Sequence, residues 1–173
     1  MILLSQNKGN KTIIAWIAVL LWMGVIFYFS HQPALESTEL SSKVTKIIIN
    51  TLEKINPNAE IDVKVFSYIV RKAAHFSLYF VLGFLVINGL WKSGIYGSKG
   101  IYLGVFISLL YAISDEVHQL YVPGRGGQVQ DVILDTVGSV VGILLYVNVF
   151  KERLRNNRVR YLDLSYKPRK KSR

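Results

Sequence analysis

Two carboxylates spaced i and i+4, Asp131 and Asp135, follow a Pro-Gly-Arg-Gly-Gly segment. That segment in turn follows a second acidic stretch, Asp115-Glu116-Val117-His118-Gln119. On a helix Asp115, His118 and Gln119 fall on one face, with Glu116 about 100° round from Asp115. Upstream, Arg71, His75 and Tyr79 recur every four residues, and Lys72 lies near the same edge. These side chains can do three kinds of chemistry. Arg71, Lys72 and Arg125 suit a phosphate or carboxylate, Arg through its bidentate fork. His75 or His118 beside a carboxylate can act as a general base. His75, Asp115, Glu116, His118, Asp131 and Asp135 also offer oxygen and nitrogen ligands for a divalent metal, with an arginine steadying developing negative charge. The spacing matches no zinc motif such as H-E-x-x-H. Mutual ion pairing of three cations with four carboxylates accounts for the same residues without any chemistry.

The elements that carry these groups are apolar. Ile101–Ile113 and Val132–Phe150 flank the polar stretch, and each reads as membrane-crossing. A charge inside such a span costs at least about 2.5–3.5 kcal/mol, so several together need partners, water or a ligand. Half of the 173 residues are hydrophobic although the net charge is +10. Both facts hold if the apolar residues sit in spans and the basic ones outside them. A span takes roughly 20 mostly apolar residues. Four segments qualify: Thr12–Ser30, Ala73–Trp91, Ile101–Tyr121 and Val132–Phe150. The expected fold is all-α, with four transmembrane helices in a bundle. One domain covers residues 1–150, and a basic cytoplasmic tail covers residues 151–173.

The connection His31–Val65 holds a further element. Leu40, Val44, Ile47, Ile48, Thr51, Leu52 and Ile55 recur at helical spacing, with Glu39, Lys43, Lys46, Glu53 and Lys54 on other faces. This predicts an amphipathic helix on the outer membrane surface or over the bundle, ended by Asn56-Pro57-Asn58. A mobile lid is the sharper alternative. Ile61–Val70 leads into span two, and Pro123 to Gly127 form a tight turn. Gly138 and Gly142 continue the Asp131–Asp135 stripe, so another helix can approach closely on that side.

The chain has no cysteine, which excludes disulfides, a thiolate nucleophile and Cys-based metal sites. Almost half of the Lys and Arg lie in the tail, directly after a span. That placement points to membrane topology and membrane lipids rather than to nucleic acid. The first apolar run is long for a signal core, so an uncleaved first helix is expected. With the N-terminus inside, the inner segments hold twice as many Lys and Arg as the outer ones, which supports cytoplasmic termini. The start of span two, the end of span three and the start of span four then share the outer side. They would line one outward cavity with Arg71, Lys72, His75, Asp115, Glu116, His118, Gln119, Arg125, Asp131 and Asp135.

RKAAHFSLYFVLG from Arg71 and SDEVHQLYVPGRGGQVQDVILDTVGSVVG from Ser114 closely resemble the VanZ-like family of bacterial membrane proteins, as does FYFSHQP at Phe27–Pro33. The resemblance covers most of Ile13–Tyr146. It implies a cell-envelope role in a Gram-positive bacterium and, through the family's name, tolerance of the glycopeptide teicoplanin. Three readings of the outward site remain open. It binds an envelope ligand: a lipid-carrier phosphate, a peptidoglycan precursor or the glycopeptide itself. It is a membrane hydrolase or transferase, using a divalent metal or a His–carboxylate pair. Or it is a scaffold with self-paired charges.

Overall fold

The computed structural model describes the backbone of residues 2–55 and 62–165, and the side chains of residues 9–52, 54 and 62–150. The described residues form five helices: α1 (Ile2–Ser30), α2 (Ala34–Ile55), α3 (Val63–Lys92), α4 (Gly97–Gln119) and α5 (Val129–Ser165). No strand occurs among the described residues. Among the described residues four segments are long and apolar enough to cross a membrane: Gly9–Ser30, Val63–Lys92, Gly97–Gln119 and Val129–Phe150. The Asn56-Pro57-Asn58 stop proposed for α2 lies outside the described residues.

Helix boundaries differ from the sequence reading in two places. The segment before span two is no lead-in, because α3 already begins at Val63. Asp62 caps it, its carboxylate accepting from the Lys64 and Val65 amides at 2.8 and 3.3 Å. At 1.5 Å per residue this 30-residue helix is about 45 Å long. Arg71 and His75 therefore stand in its third and fourth turns, not at its start. α5, for its part, has no break at Phe150 and runs on to Ser165.

α3 is the organising helix. It packs against all four others, most extensively against α5. The glycine stripe makes this approach possible. A Cβ on Gly138 would lie 2.6 Å from the Phe76 carbonyl oxygen, and one on Gly142 would collide with the Phe80 carbonyl. Such close backbone contact gains dispersion where lipid removes the usual hydrophobic drive. The main core joins Tyr79, Leu82, Val86 and Leu90 of α3 to Val19 and Ile26 of α1 and Ala112 of α4. Trp22 fixes α1 to α3 by donating to the Leu78 carbonyl at 2.8 Å, and Tyr111 fixes α4 to α1 through the Met23 carbonyl at 2.6 Å. Outward faces stay apolar and exposed, as with Ile13, Leu20, Phe106, Leu110, Ile133 and Val137. So much bare hydrocarbon suits a lipid surround and not water.

α2 divides into three faces. Thr38, Thr45 and Ile49 turn toward α3, where the Ser67 hydroxyl lies 3.2 Å from that of Thr45. Leu40, Val44, Ile47, Ile48 and Leu52 are exposed on a second face. Glu39, Lys43 and Lys46 occupy the third, also exposed. After α4 the chain turns at Val122–Arg125. The Arg125 amide donates to the Val122 carbonyl at 3.1 Å, and Gly124 has φ +75°, the pattern of a type II turn with Pro123 first.

Candidate functional site

Most of the polar groups singled out above gather at one end of the helices, where the last turn of α1, the first turns of α2, the third and fourth turns of α3, the end of α4 and the start of α5 meet. Asp115 and Glu116 come from α4 and Asp135 from α5, and all three are buried. Arg71, Lys72, Arg125 and Asp131 surround them and are half-buried. Carboxylates thus lie innermost, with the cations nearer the surface.

Asp135 has no exposed surface, and neither of its oxygens has a hydrogen-bond partner. Its nearest charged neighbour is His75, whose Nδ1 lies 3.6 Å from Asp135 Oδ2. His75 itself remains partly exposed. A buried carboxylate behind a more accessible imidazole orients the ring. Asp115 Oδ2 accepts from the Ser30 hydroxyl at 2.8 Å and from Gln119 Nε2 at 3.4 Å, while its Oδ1 has no partner. The Tyr79 hydroxyl is buried beside Asp115 but makes no hydrogen bond of normal geometry. Glu116 Oε2 accepts from the Gln128 amide at 2.7 Å, so it holds the turn onto α4.

The cations are placed differently from one another. Lys72 pairs with Asp131. Arg71 Nη2 donates to the Thr38 hydroxyl at 2.7 Å, and Arg125 Nη2 to the Phe29 carbonyl at 3.3 Å. Burial, and next the Arg71 charge, hold the Arg125 pKa below its ordinary value, while Asp115, Glu116 and Asp131 act the other way. Among the described residues no three His, Asp or Glu side chains stand so as to hold one metal ion together.

Most residues expected from the sequence meet here, but His118 departs from the face assigned to it. Ala112, Asp115, Glu116 and Gln119 form the buried face of α4. His118 turns toward α1 instead, where its Nε2 lies 3.1 Å from His31 Nδ1 and Phe27 packs on its ring. Its place at i+3 from Asp115 leaves it about 60° off that face, enough to reach a different neighbour. Sequence reasoning also missed Ser30 and Thr38 as partners of the cluster, and His31 as the partner of His118. Ser30 and His31 lie within FYFSHQP, which was the available signal; Thr38 carried none.

The family model for VanZ/LLP1 matches residues 15–151, which include all five helices' contributions to this cluster. The chain belongs to that family. No curated protein and no solved structure matches it.

Proposed function

We propose that this VanZ/LLP1 protein is a multi-pass membrane protein of the bacterial cell envelope that binds a polar or anionic envelope ligand at the cluster around His75 and Asp135. A lipid-carrier phosphate, a peptidoglycan precursor or a glycopeptide suits the site, and binding it would contribute to teicoplanin tolerance. In this reading the four spans pack as a bundle around α3. Both termini are cytoplasmic by the distribution of Lys and Arg, so the cluster faces outward. α2 lies along the outer surface as an amphipathic helix.

The observation that carries the reading is Asp135. Were the charges only a self-paired scaffold, each buried carboxylate oxygen should have a donor, since unpaired buried charge is strongly unfavourable. Asp135 has only the His75 contact at 3.6 Å, longer than a hydrogen bond, and Asp115 keeps one oxygen unbonded. A cluster that leaves donors to be supplied by something else is built for a ligand. The Asp135–His75 pair also supports a second reading, a hydrolase or transferase with His75 as general base.

Native mass spectrometry of the purified protein, wild type beside Asp135→Asn, tests both. A bound phosphorylated lipid or precursor lost in the variant supports ligand binding. A stoichiometric divalent metal lost in the variant supports the hydrolase. Identical spectra from two equally folded proteins count against the site.

A further inference from the structure

The cations of the cluster fall into two classes. Lys72 is neutralised by Asp131, and His75 lies against Asp135. Arg71 and Arg125 are left over: among the described residues neither has a carboxylate within ion-pair distance. Each instead gives one hydrogen bond to a neutral oxygen, Arg71 to Thr38 and Arg125 to the Phe29 carbonyl. Arg71 Nε is buried and has no partner at all. A guanidinium carries five N–H donors, so most of this donor capacity is unspent.

The fold brings the two together on purpose-built supports. Arg71 comes from α3 and reaches Thr38 of α2, while Arg125 comes from the turn after α4 and reaches the Phe29 carbonyl at the end of α1; that turn also rests on the start of α2. There the Ala34 amide donates to the Pro123 carbonyl at 3.2 Å, and Gly124 sits so close to Ala34 that a Cβ would lie 3.1 Å from the Ala34 methyl. Thr38, one turn further along α2, is the Arg71 partner. The Thr38 hydroxyl meanwhile donates to the Ala34 carbonyl at 2.7 Å, which fixes its acceptor side toward the arginine. Half-buried like charges in one neighbourhood repel, so that burial first and the Arg71 charge next hold the Arg125 pKa below its ordinary value. Such an arrangement is unfavourable in the empty protein and favourable once an anion shares both groups.

We propose that Arg71 and Arg125 form the anion subsite of the cluster and that it takes a phosphate group, carried on a lipid or free in solution. This rests on the ligand-binding reading above and narrows its substrate class. Phosphate is favoured over carboxylate by charge and shape. A phosphate monoester spreads a charge of about −1.5 to −2 over three oxygens, enough for two guanidinium forks, whereas a carboxylate offers one charge and two oxygens. Lys72 is outside the subsite because Asp131 already holds it.

The test uses the full chain in nanodiscs of phosphatidylcholine. One arm titrates inorganic phosphate and pyrophosphate by calorimetry. The other adds dioleoyl phosphatidate to the disc and counts bound lipid by native mass spectrometry. The expected result is that Arg71→Gln and Arg125→Gln each weaken phosphate binding about tenfold or more, the loss of a charge-assisted hydrogen-bonded contact. Lys64→Gln, an exposed cation elsewhere on α3, should change it little. Arg71→Lys and Arg125→Lys keep the charge without the fork, fold as the wild type does in a thermal melt, and should fall between. Binding in the first arm assigns the subsite to free phosphate; binding in the second alone assigns it to a lipid phosphate. Arginine variants that bind like wild type, or a wild type that binds neither probe, overturn the assignment. The broader site reading is judged separately, by whether Asp135→Asn loses any co-purifying ligand of another kind.

Discussion

His75 Nδ1 stands 3.6 Å from Oδ2 of Asp135, a carboxylate with no exposed surface and no hydrogen-bond donor. Asp135→Asn removes the charge at nearly constant volume and breaks no hydrogen bond. It should therefore shift stability by no more than about 1 kcal/mol while abolishing function. Yield and thermal unfolding in detergent, beside a teicoplanin-susceptibility assay in a complemented strain, check both halves. Loss of folded protein would mean that Asp135 serves the fold.

Glu116 gives the contrasting case. Its Oε2 accepts from the Gln128 amide at 2.7 Å and so ties the end of α4 to the turn that carries Arg125. Glu116→Ala leaves that amide without its partner, at a cost of about 1.5–3 kcal/mol for a charge-assisted bond. Hydrogen exchange at Gln128 should accelerate by one to two orders of magnitude, within reach of that energy. Glu116→Gln keeps an acceptor oxygen and should lose less. Unchanged exchange in Glu116→Ala would show that the turn is held by other contacts.

The α3–α5 approach makes a prediction about packing alone. Gly142→Ala places a methyl into the Phe80 carbonyl on a facing helix, where backbone cannot yield cheaply. Overpacking of this kind costs about 1–3 kcal/mol. Gly126→Ala meets nothing within 4 Å and should leave the melting temperature unchanged. Equal melts for the two would refute the close approach.

Periodicity within one helix was readable, and proximity between helices was readable only through topology. Asp131, Asp135, Gly138 and Gly142 declared their shared face by spacing, and Arg71, His75 and Tyr79 declared theirs. Their convergence followed once four spans fixed which ends lay together. His118 was misplaced because a residue 60° off a face can be claimed by a neighbour that spacing does not reveal, here His31. The start of α3 was misread because Arg71 and Lys72 interrupt the apolar run, although the helix that Asp62 caps has already begun at Val63. Thr38 was invisible because a hydroxyl becomes a partner only when a distant arginine is brought to it.

Orientation can be tested directly, because the chain has no native cysteine. Gly126 is exposed, with open space where a side chain would go. In intact cells, Gly126→Cys should react with a membrane-impermeant maleimide applied from outside, to nearly the same extent as in permeabilised cells. Labelling that requires permeabilisation would place the cluster on the cytoplasmic side and remove the envelope ligands from consideration.

The placement of α2 carries the last prediction. Its polar contacts with α3 run from Thr38 to Arg71 and from Thr45 to Ser67, while Leu40, Val44, Ile47 and Ile48 stay exposed. An apolar stripe opposite to charges, on a helix joined to spans at both ends, is favoured in the interface plane, its apolar side in the acyl boundary. Ile47 is 68% exposed on that stripe, and Lys46 is exposed on the charged face. A new tryptophan at Ile47→Trp should add fluorescence that brominated lipid quenches strongly. One at Lys46→Trp should add fluorescence that is quenched weakly, each read as the difference from wild type with its three native tryptophans. Equal quenching at the two positions would mean that α2 stands off the membrane. Its apolar face would then have to be covered by protein, and the first two turns, which hold Ala34 and Thr38, would move with whatever partner covers it.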